Sequence, residues 1–273
     1  SHGFRPKRSC HTALIDIQKT FTAVKWFIEG DIKGFFDNIN HDVLINILRE
    51  RIADERFLRL IRKFLNAGYV EDWVFHRTYS GTPQGGIISP ILANIYLDKF
   101  DKYIKEYTNR FNKGVTRKGD ARYKLYEQRR YRLAKKLKNE KDVKVRELMT
   151  AEIKRLREER NNYPARNEMD SSIKRLKYVR YADDFLIGIT GSLEDCKTVK
   201  EDIKNYLNEA LKLELSDEKT LITNAQKPAK FLGYDVFIRR CNDLRKDKFG
   251  RTVRAFGHKP VFYTHLTLPT TRE

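Results

Sequence analysis

The sequence predicts an α+β fold in which an antiparallel sheet of split βαβ (ferredoxin-like) type is packed by helices on one face. Three observations carry this. Val24, Trp26 and Ile28 alternate along a strand that runs into Asp31. The run "YVRYADDFLIGI" reads as strand, polar pair, strand, a β-hairpin with Asp183 and Asp184 at its tip. "GSLEDCKTVKEDIKNYLNEAL" is an amphipathic helix, with Ser192 and Asp195 as a variant capping box, and short strands follow it. Strand, helices, hairpin, helix, strand is the split βαβ order.

The elements follow in chain order. Ser9 is an N-cap for a helix whose Ala13, Leu14 and Ile17 share a face. After the Asp31 strand, Asn38 or Asn40 starts a helix with Val43, Leu44, Ile47 and Leu48 inward. Phe57, Leu60, Ile61 and Phe64 make a second apolar face, stopped at Gly68. "WVFHRTYS", at 73–80, reads as a strand, and "GTPQGGIISP" as a glycine-rich turn. Ser89 then caps a helix with Pro90 at its first position, followed by Leu92, Ile95, Tyr96, Phe100 and Tyr103 at helical spacing. Residues 105–175 are crowded with Lys, Arg and Glu. Leu133 and Leu137, then Met149, Ile153 and Leu156, give two helical patterns around the polar turn "KNEKD". This is an inserted basic helical hairpin, and a solvated excursion without a role explains the pattern equally well. Beyond the amphipathic helix, "KLELS", "TLIT" and "FLGYDVFI" read as strands, with a bulge at Gly233.

Charge narrows the partner. The 273 residues carry 56 Lys and Arg against 37 Asp and Glu, a net +19. Such a chain favours a polyanion, nucleic acid before an anionic membrane surface. No apolar run reaches spanning length, so no membrane is expected. Cys10, Cys196 and Cys241 lie far apart without zinc spacing, which excludes a zinc finger and fits a reducing, cytoplasmic setting. The opening at Ser1 and the Thr-rich "THLTLPTTRE" suggest a truncated chain with a foreign tail.

The chemistry rests on Asp31 and the hairpin. In a split βαβ sheet their strands are neighbours, so three carboxylates gather at one edge. Unneutralised, they repel and raise each other's pKa. Two divalent cations about 4 Å apart would remove that cost and could stabilise both oxygens of an in-line phosphoryl displacement. A triphosphate would complete the shell of Mg²⁺, which takes oxygen ligands and is rarely caged by protein alone.

"FIEGDIKGFFDNINH", "GTPQGGIISPILANIYL", "YVRYADDFLIGI", "LELSDEKTLIT" and "FLGYDVF" resemble, in order and spacing, the conserved blocks of reverse transcriptases. The second block is specifically similar to the group II intron-encoded reverse transcriptase/maturase branch, and "GFRPKRSCHTAL" resembles the family block before the first aspartate. The resemblance covers about 1–104 and 176–257. It implies an RNA-directed DNA polymerase with a palm of the split βαβ type. Asp31, Asp183 and Asp184 resemble its metal ligands, joined by the backbone of Ile32. The implied cofactor is two Mg²⁺ ions, with Mn²⁺ as a substitute. Phe36 resembles the steric gate under the sugar, against a reading of plain core packing. Gln84, with Gly85 beside it, resembles the contact to the incoming nucleotide. Lys219 resembles a lysine that protonates pyrophosphate, against a reading as an exposed helix-start lysine. Gly233 falls in the primer-grip stretch, and Arg5 and Arg8 are candidates for template phosphates.

The implied partners are RNA template, primer, dNTPs and intron RNA; a dimer is one option for the assembly, and the setting is bacterial cytoplasm. The implied domains are a fingers remnant at 1–20, palm at 21–104 and 176–240, the insertion at 105–175, and a thumb connection with foreign tail at 241–273. Earlier fingers blocks and a thumb are not in the chain, so weak or no activity is expected of it alone. A splicing maturase with a lost polymerase site, and a CRISPR-linked or diversity-generating reverse transcriptase, are the alternatives. A nucleotide cyclase or RNA-dependent RNA polymerase could share the palm, but "GTPQGG" with "YADD" speaks against both.

Overall fold

A computed structural model describes residues 1–71, 74–76, 81–82, 86–167, 170–246, 250 and 252–264. The fold is α+β, with antiparallel sheets and helices, and divides into two compact units. One is Ser1–Asn112, Arg175–Arg239 and Lys259–Glu273; the other is Lys113–Lys174 and Arg240–His258.

In the first unit, α1 (Cys10–Thr20) starts at Ser9, whose capping box closes with Thr12. Strand β1 (Trp26–Gly30) leads to a short α2 (Phe35–Asn38). Helix α3 (His41–Arg49) takes Asn40 as its cap, because the Asn40 side chain accepts from Val43 N. In α4 (Glu55–Asn66) the buried residues are Leu58, Ile61 and Leu65. The expected face is therefore rotated, and Phe57, Leu60 and Phe64 are exposed. A small hairpin follows, β2 (Tyr69–Glu71) with β3 (Val74–His76). Of the expected 73–80 strand only Val74–His76 falls on described residues. Helix α5 (Ser89–Phe111) begins one residue earlier than expected: Ile88 is the cap position, without a side-chain bond, and Ser89 is already helical.

The main sheet combines β1 with β4 (Arg175–Tyr181), β5 (Asp184–Thr190) and β6 (Ile222–Asn224) in the order β4-β5-β1-β6. Strand β1 is antiparallel to both β5 and β6. Helix α8 (Leu193–Leu211) connects β5 to β6 and carries the expected capping box of Ser192 and Asp195. "KLELS" is not a strand: it contributes one bridge, Leu215 to Ile32. Strand β7 (Ala229–Phe231) turns into β8 (Tyr234–Lys246), and β9 (Thr252–Thr264) completes a second sheet. The tail beyond 264 lies outside the described residues.

Both faces of the main sheet are covered, not one. Ile28, Phe185, Ile187 and Ile189 pack with α3, α4, α5 and α8. Phe27, Val179 and Leu186 pack with α1 and the β7–β8 hairpin. Alternate residues of each strand face opposite sides, so strands buried on both read as unbroken apolar runs. Tyr103 and Tyr206 stack at 3.8 Å, joining α5 to α8. No helix among the described residues is long and apolar enough to cross a membrane.

The second unit contains α6 (Ala121–Asn139) and α7 (Val143–Arg160). Its neck closes by bridges between Lys113 and Lys174 and between Gly119 and Arg166. No α6 residue is buried, and in α7 only Leu156 is. Polar and aromatic contacts hold the pair instead. Glu127 accepts from Arg130 (2.5 Å) and Arg160 (2.7 Å), and Tyr126 stacks on Tyr163 at 5.7 Å.

Candidate active site

The acids meet at one end of the main sheet because of its register. Gly30 pairs with Phe185, the last step of the β1–β5 ladder, and Asp31 and Asp184 are the next residues of the two strands. Glycine at position 30 is a packing requirement: a Cβ there would lie 2.1 Å from the Phe185 ring. The strand ends close up only because that side chain is missing.

The hairpin turn is Ala182–Asp183, closed by the pair Tyr181 and Asp184. The sequence led to both aspartates at the tip; the structure puts Asp183 in the turn and Asp184 on the first residue of β5. Ala182 has φ 55°, a left-handed conformation that costs a non-glycine residue roughly 1–2 kcal/mol. Burial raises the pKa of Asp183, with the charge of Asp31 adding to it. The Asp184 carboxyl is pushed up to about 6, by burial first and then by Asp183 and Asp31. Asp31 itself pairs with Lys219, Nζ to Oδ2 3.1 Å, and the pairing raises the Lys219 pKa. Lys219 lies in a turn after Ser216 rather than at a helix start.

Asp31 and Asp184, though not Asp183, border a cleft of about 640 Å³. Asp31, Asp184 and Lys219 line one part; Lys230, Leu232, Gly233 and Tyr234 line another. Gly233 is not a bulge. It is the second residue of a tight β7–β8 turn in which Leu232 (φ 53°) and Gly233 (φ 76°) are both left-handed, the two-residue hairpin geometry. Glu29, which the sequence did not single out, ties the cleft wall together by accepting from Thr223 Oγ1 and from Lys230 N.

Phe36 is half-buried and meets Phe35 edge to face at 5.3 Å, while Phe35 fills the core at 2% exposure. Phe36 is not among the residues bordering the acid cleft. Its carbonyl accepts from Thr82 N at 2.6 Å, and Gly81 N donates to Ile39 O at 2.8 Å. His41, a second residue the sequence did not single out, donates from Nε2 to Gly81 O at 2.7 Å. The start of the glycine-rich block is thus clamped to α2 and α3. Gln84 and Gly85 lie outside the described residues. Arg5 and Arg8 are exposed on the turn before α1 and do not border the cleft. Ile32 is 2% exposed, so its backbone is what the site can use.

A divalent metal fits the donor chemistry: oxygen ligands, partly buried carboxylates short of positive charge, and a lysine ammonium standing against Asp31. The side chains do not form a ready cage; among the described residues no three His, Cys, Asp or Glu are grouped closely enough to hold an ion.

The family model for reverse transcriptase (RNA-dependent DNA polymerase) matches residues 1–121 and 153–236. The chain belongs to the reverse transcriptase family. It is 46% identical over 249 residues to the group II intron-encoded protein LtrA of Lactococcus lactis subsp. cremoris, covering 90% of this chain and 40% of that protein. It is 40% identical over 260 residues to the putative COX1/OXI3 intron 1 protein of Saccharomyces cerevisiae, covering 93% of this chain and 29% of the relative. This reverse transcriptase chain therefore spans well under half the length of either relative. Among solved structures, apo telomerase from Candida tropicalis aligns over 82% of this chain and 33% of that one, with TM-score 0.42 and 14% identity, too slight a likeness to carry an argument.

Proposed function

We propose that this chain is the palm, with part of the fingers, of a group II intron-encoded RNA-directed DNA polymerase that also binds its intron RNA in splicing and mobility. The observation that carries the reading is the meeting of Asp31 and Asp184 at adjoining strand ends beside the Asp183 turn. The order β4-β5-β1-β6, all antiparallel, supports a palm of the split βαβ type.

In this reading Asp31, Asp183, Asp184 and the Ile32 carbonyl would hold two Mg²⁺ ions, or Mn²⁺. Bound there, the ions would supply positive charge to the attacking 3′-oxygen and the departing pyrophosphate. The chain's own residues do the rest. Lys219, raised in pKa beside Asp31, keeps a proton at Nζ to pass to the pyrophosphate. Phe36, with Phe35 filling the core behind it, offers a ring to the sugar and disfavours a 2′-hydroxyl. Gln84 and Gly85 contact the incoming nucleotide, and the turn at Gly233 bears on the primer. Arg5 and Arg8 reach template phosphates. Exposed lysines and arginines of α6, which has Glu127 as its single acid, bind intron RNA. A bacterial cytoplasmic setting belongs to the same reading.

Primer extension on an RNA template by the full-length parent protein, wild type against Asp183→Asn, tests it. The expected result is Mg²⁺-dependent dNTP addition that the substitution abolishes. Equal extension by both proteins would refute it.

A further inference from the structure

Behind the acidic turn lies a buried ion pair. Arg180, on β4, is 1% exposed. Its Nε and Nη2 donate to Oδ1 and Oδ2 of Asp101, on α5, at 2.8 and 2.6 Å. The remaining nitrogen, Nη1, donates to the carbonyl of Ala182 at 2.6 Å. Asp101 also accepts from the Tyr178 hydroxyl at 2.8 Å.

Two of these contacts are what any buried guanidinium needs: a carboxylate taken in both arms. The third is different. It reaches the one residue of the turn whose backbone is left-handed without being glycine, Ala182 at φ 55°. Ala182 directly precedes Asp183, so its peptide orientation sets where both acids project. A planar fork can hold a carboxylate with two N–H groups and still present another at a fixed angle; a lysine ammonium cannot.

We propose that Arg180, anchored by Asp101, is a positioning residue that locks the Ala182 peptide and so aims Asp183 and Asp184 at divalent cations. The proposal rests on the reading of those aspartates as metal ligands. It differs from a plain β4–α5 core ion pair in one consequence. Glycine adopts a left-handed φ without penalty. If Arg180 works through Ala182, glycine at 182 should relieve the need for it.

The test is Mn²⁺ binding by the 273-residue chain, followed by electron paramagnetic resonance, with thermal melting alongside. Arg180→Lys is expected to weaken Mn²⁺ binding by about tenfold, the scale seen when a group orienting a metal ligand is removed. Adding Ala182→Gly should restore most of that loss without restoring the melting temperature. Arg180→Lys binding like wild type, or no recovery in the double variant, overturns the proposal. Should Arg180→Lys fail to fold, Asp101→Asn, which leaves one acceptor oxygen for the guanidinium, is read in the same way. Asp183→Asn separates the two levels. If it leaves Mn²⁺ binding unchanged, the metal-ligand reading falls and the proposal with it. If it abolishes binding while Arg180→Lys does not weaken it, only the positioning role falls.

Discussion

Lys219 Nζ stands 3.1 Å from Oδ2 of Asp31, so the one acid of the cluster that is not on the hairpin already has a cation beside it. A divalent ion must compete with that ammonium for the same oxygen. Lys219→Ala is expected to tighten Mn²⁺ binding severalfold while slowing nucleotide addition by about 10²-fold, the lower range for losing a proton donor. Calorimetric titration and single-turnover extension measure the two effects separately. Weaker metal binding in the variant would show that Lys219 supports the site instead of competing for it.

Gly30→Ala should damage fold and site together. The new Cβ would lie 2.1 Å from the Phe185 ring, which is 1% exposed and held edge to face by Phe100 at 5.2 Å. A ring packed on all sides cannot step aside cheaply, so a loss of about 1–3 kcal/mol is expected from denaturant unfolding. Phe185→Leu in the same chain should recover part of it. Unchanged stability in Gly30→Ala would mean the β1–β5 ends are looser than they stand here.

What was legible in the sequence was what depends on local pattern. The hairpin around Asp183, the Ser9 cap, the Ser192–Asp195 capping box and the amphipathic α8 follow from spacing alone. The α4 face was misread because Phe57, Leu60 and Phe64 keep the same helical period as Leu58, Ile61 and Leu65; period does not say which of two apolar stripes a sheet will cover. Gly233 was misread because one glycine in a strand-like run suits a bulge or a turn, and only pairing of Phe231 with Tyr234 decides. Glu29, His41, Arg180 and Asp101 were invisible for a different reason. Each acts through a partner distant in the chain, and no local motif marks such pairs.

Phe36→Val should admit ribonucleotides. Phe35 fills the core, so trimming Phe36 costs little packing, and the effect should fall on discrimination at the sugar. The ratio of rNTP to dNTP incorporation is expected to rise by about tenfold or more, the scale of a few methylenes' worth of discrimination. An unchanged ratio would return Phe36 to a packing role.

Acid should loosen the α6–α7 hairpin before the rest. Arg130 and Arg160 hold Glu127 down to about 2 against its usual 4.5. A depressed carboxyl stabilises the fold fully above its unfolded pKa and loses that contribution as pH falls through the folded one. The window is therefore about 4.5 down to 2. Because Glu127 is 37% exposed, solvent screening leaves about 1 kcal/mol. Glu127→Gln should be less stable at neutral pH and should flatten the acid dependence of the hairpin, read by hydrogen exchange of α6. An identical acid profile in the variant would place the acid-sensitive contact elsewhere.

The neck of the hairpin offers a clean cut for testing RNA binding. Gly119 and Arg166 already face each other across an antiparallel bridge. Removing what lies between them and joining them through a short glycine turn leaves the first unit's chain segments untouched. Among the exposed charges removed are Arg122, Lys124, Arg129, Arg132, Lys135, Lys136 and Lys138 of α6. If these meet phosphates, intron RNA affinity should fall, and the slope of log affinity against log salt should flatten by about 0.7–0.9 for each phosphate that the shortened chain no longer neutralises. Weaker binding with an unchanged slope would mean the hairpin acts through shape or through the fold of the chain. An unchanged affinity and slope would mean that its basic face serves solubility, and that intron RNA is held by other surfaces.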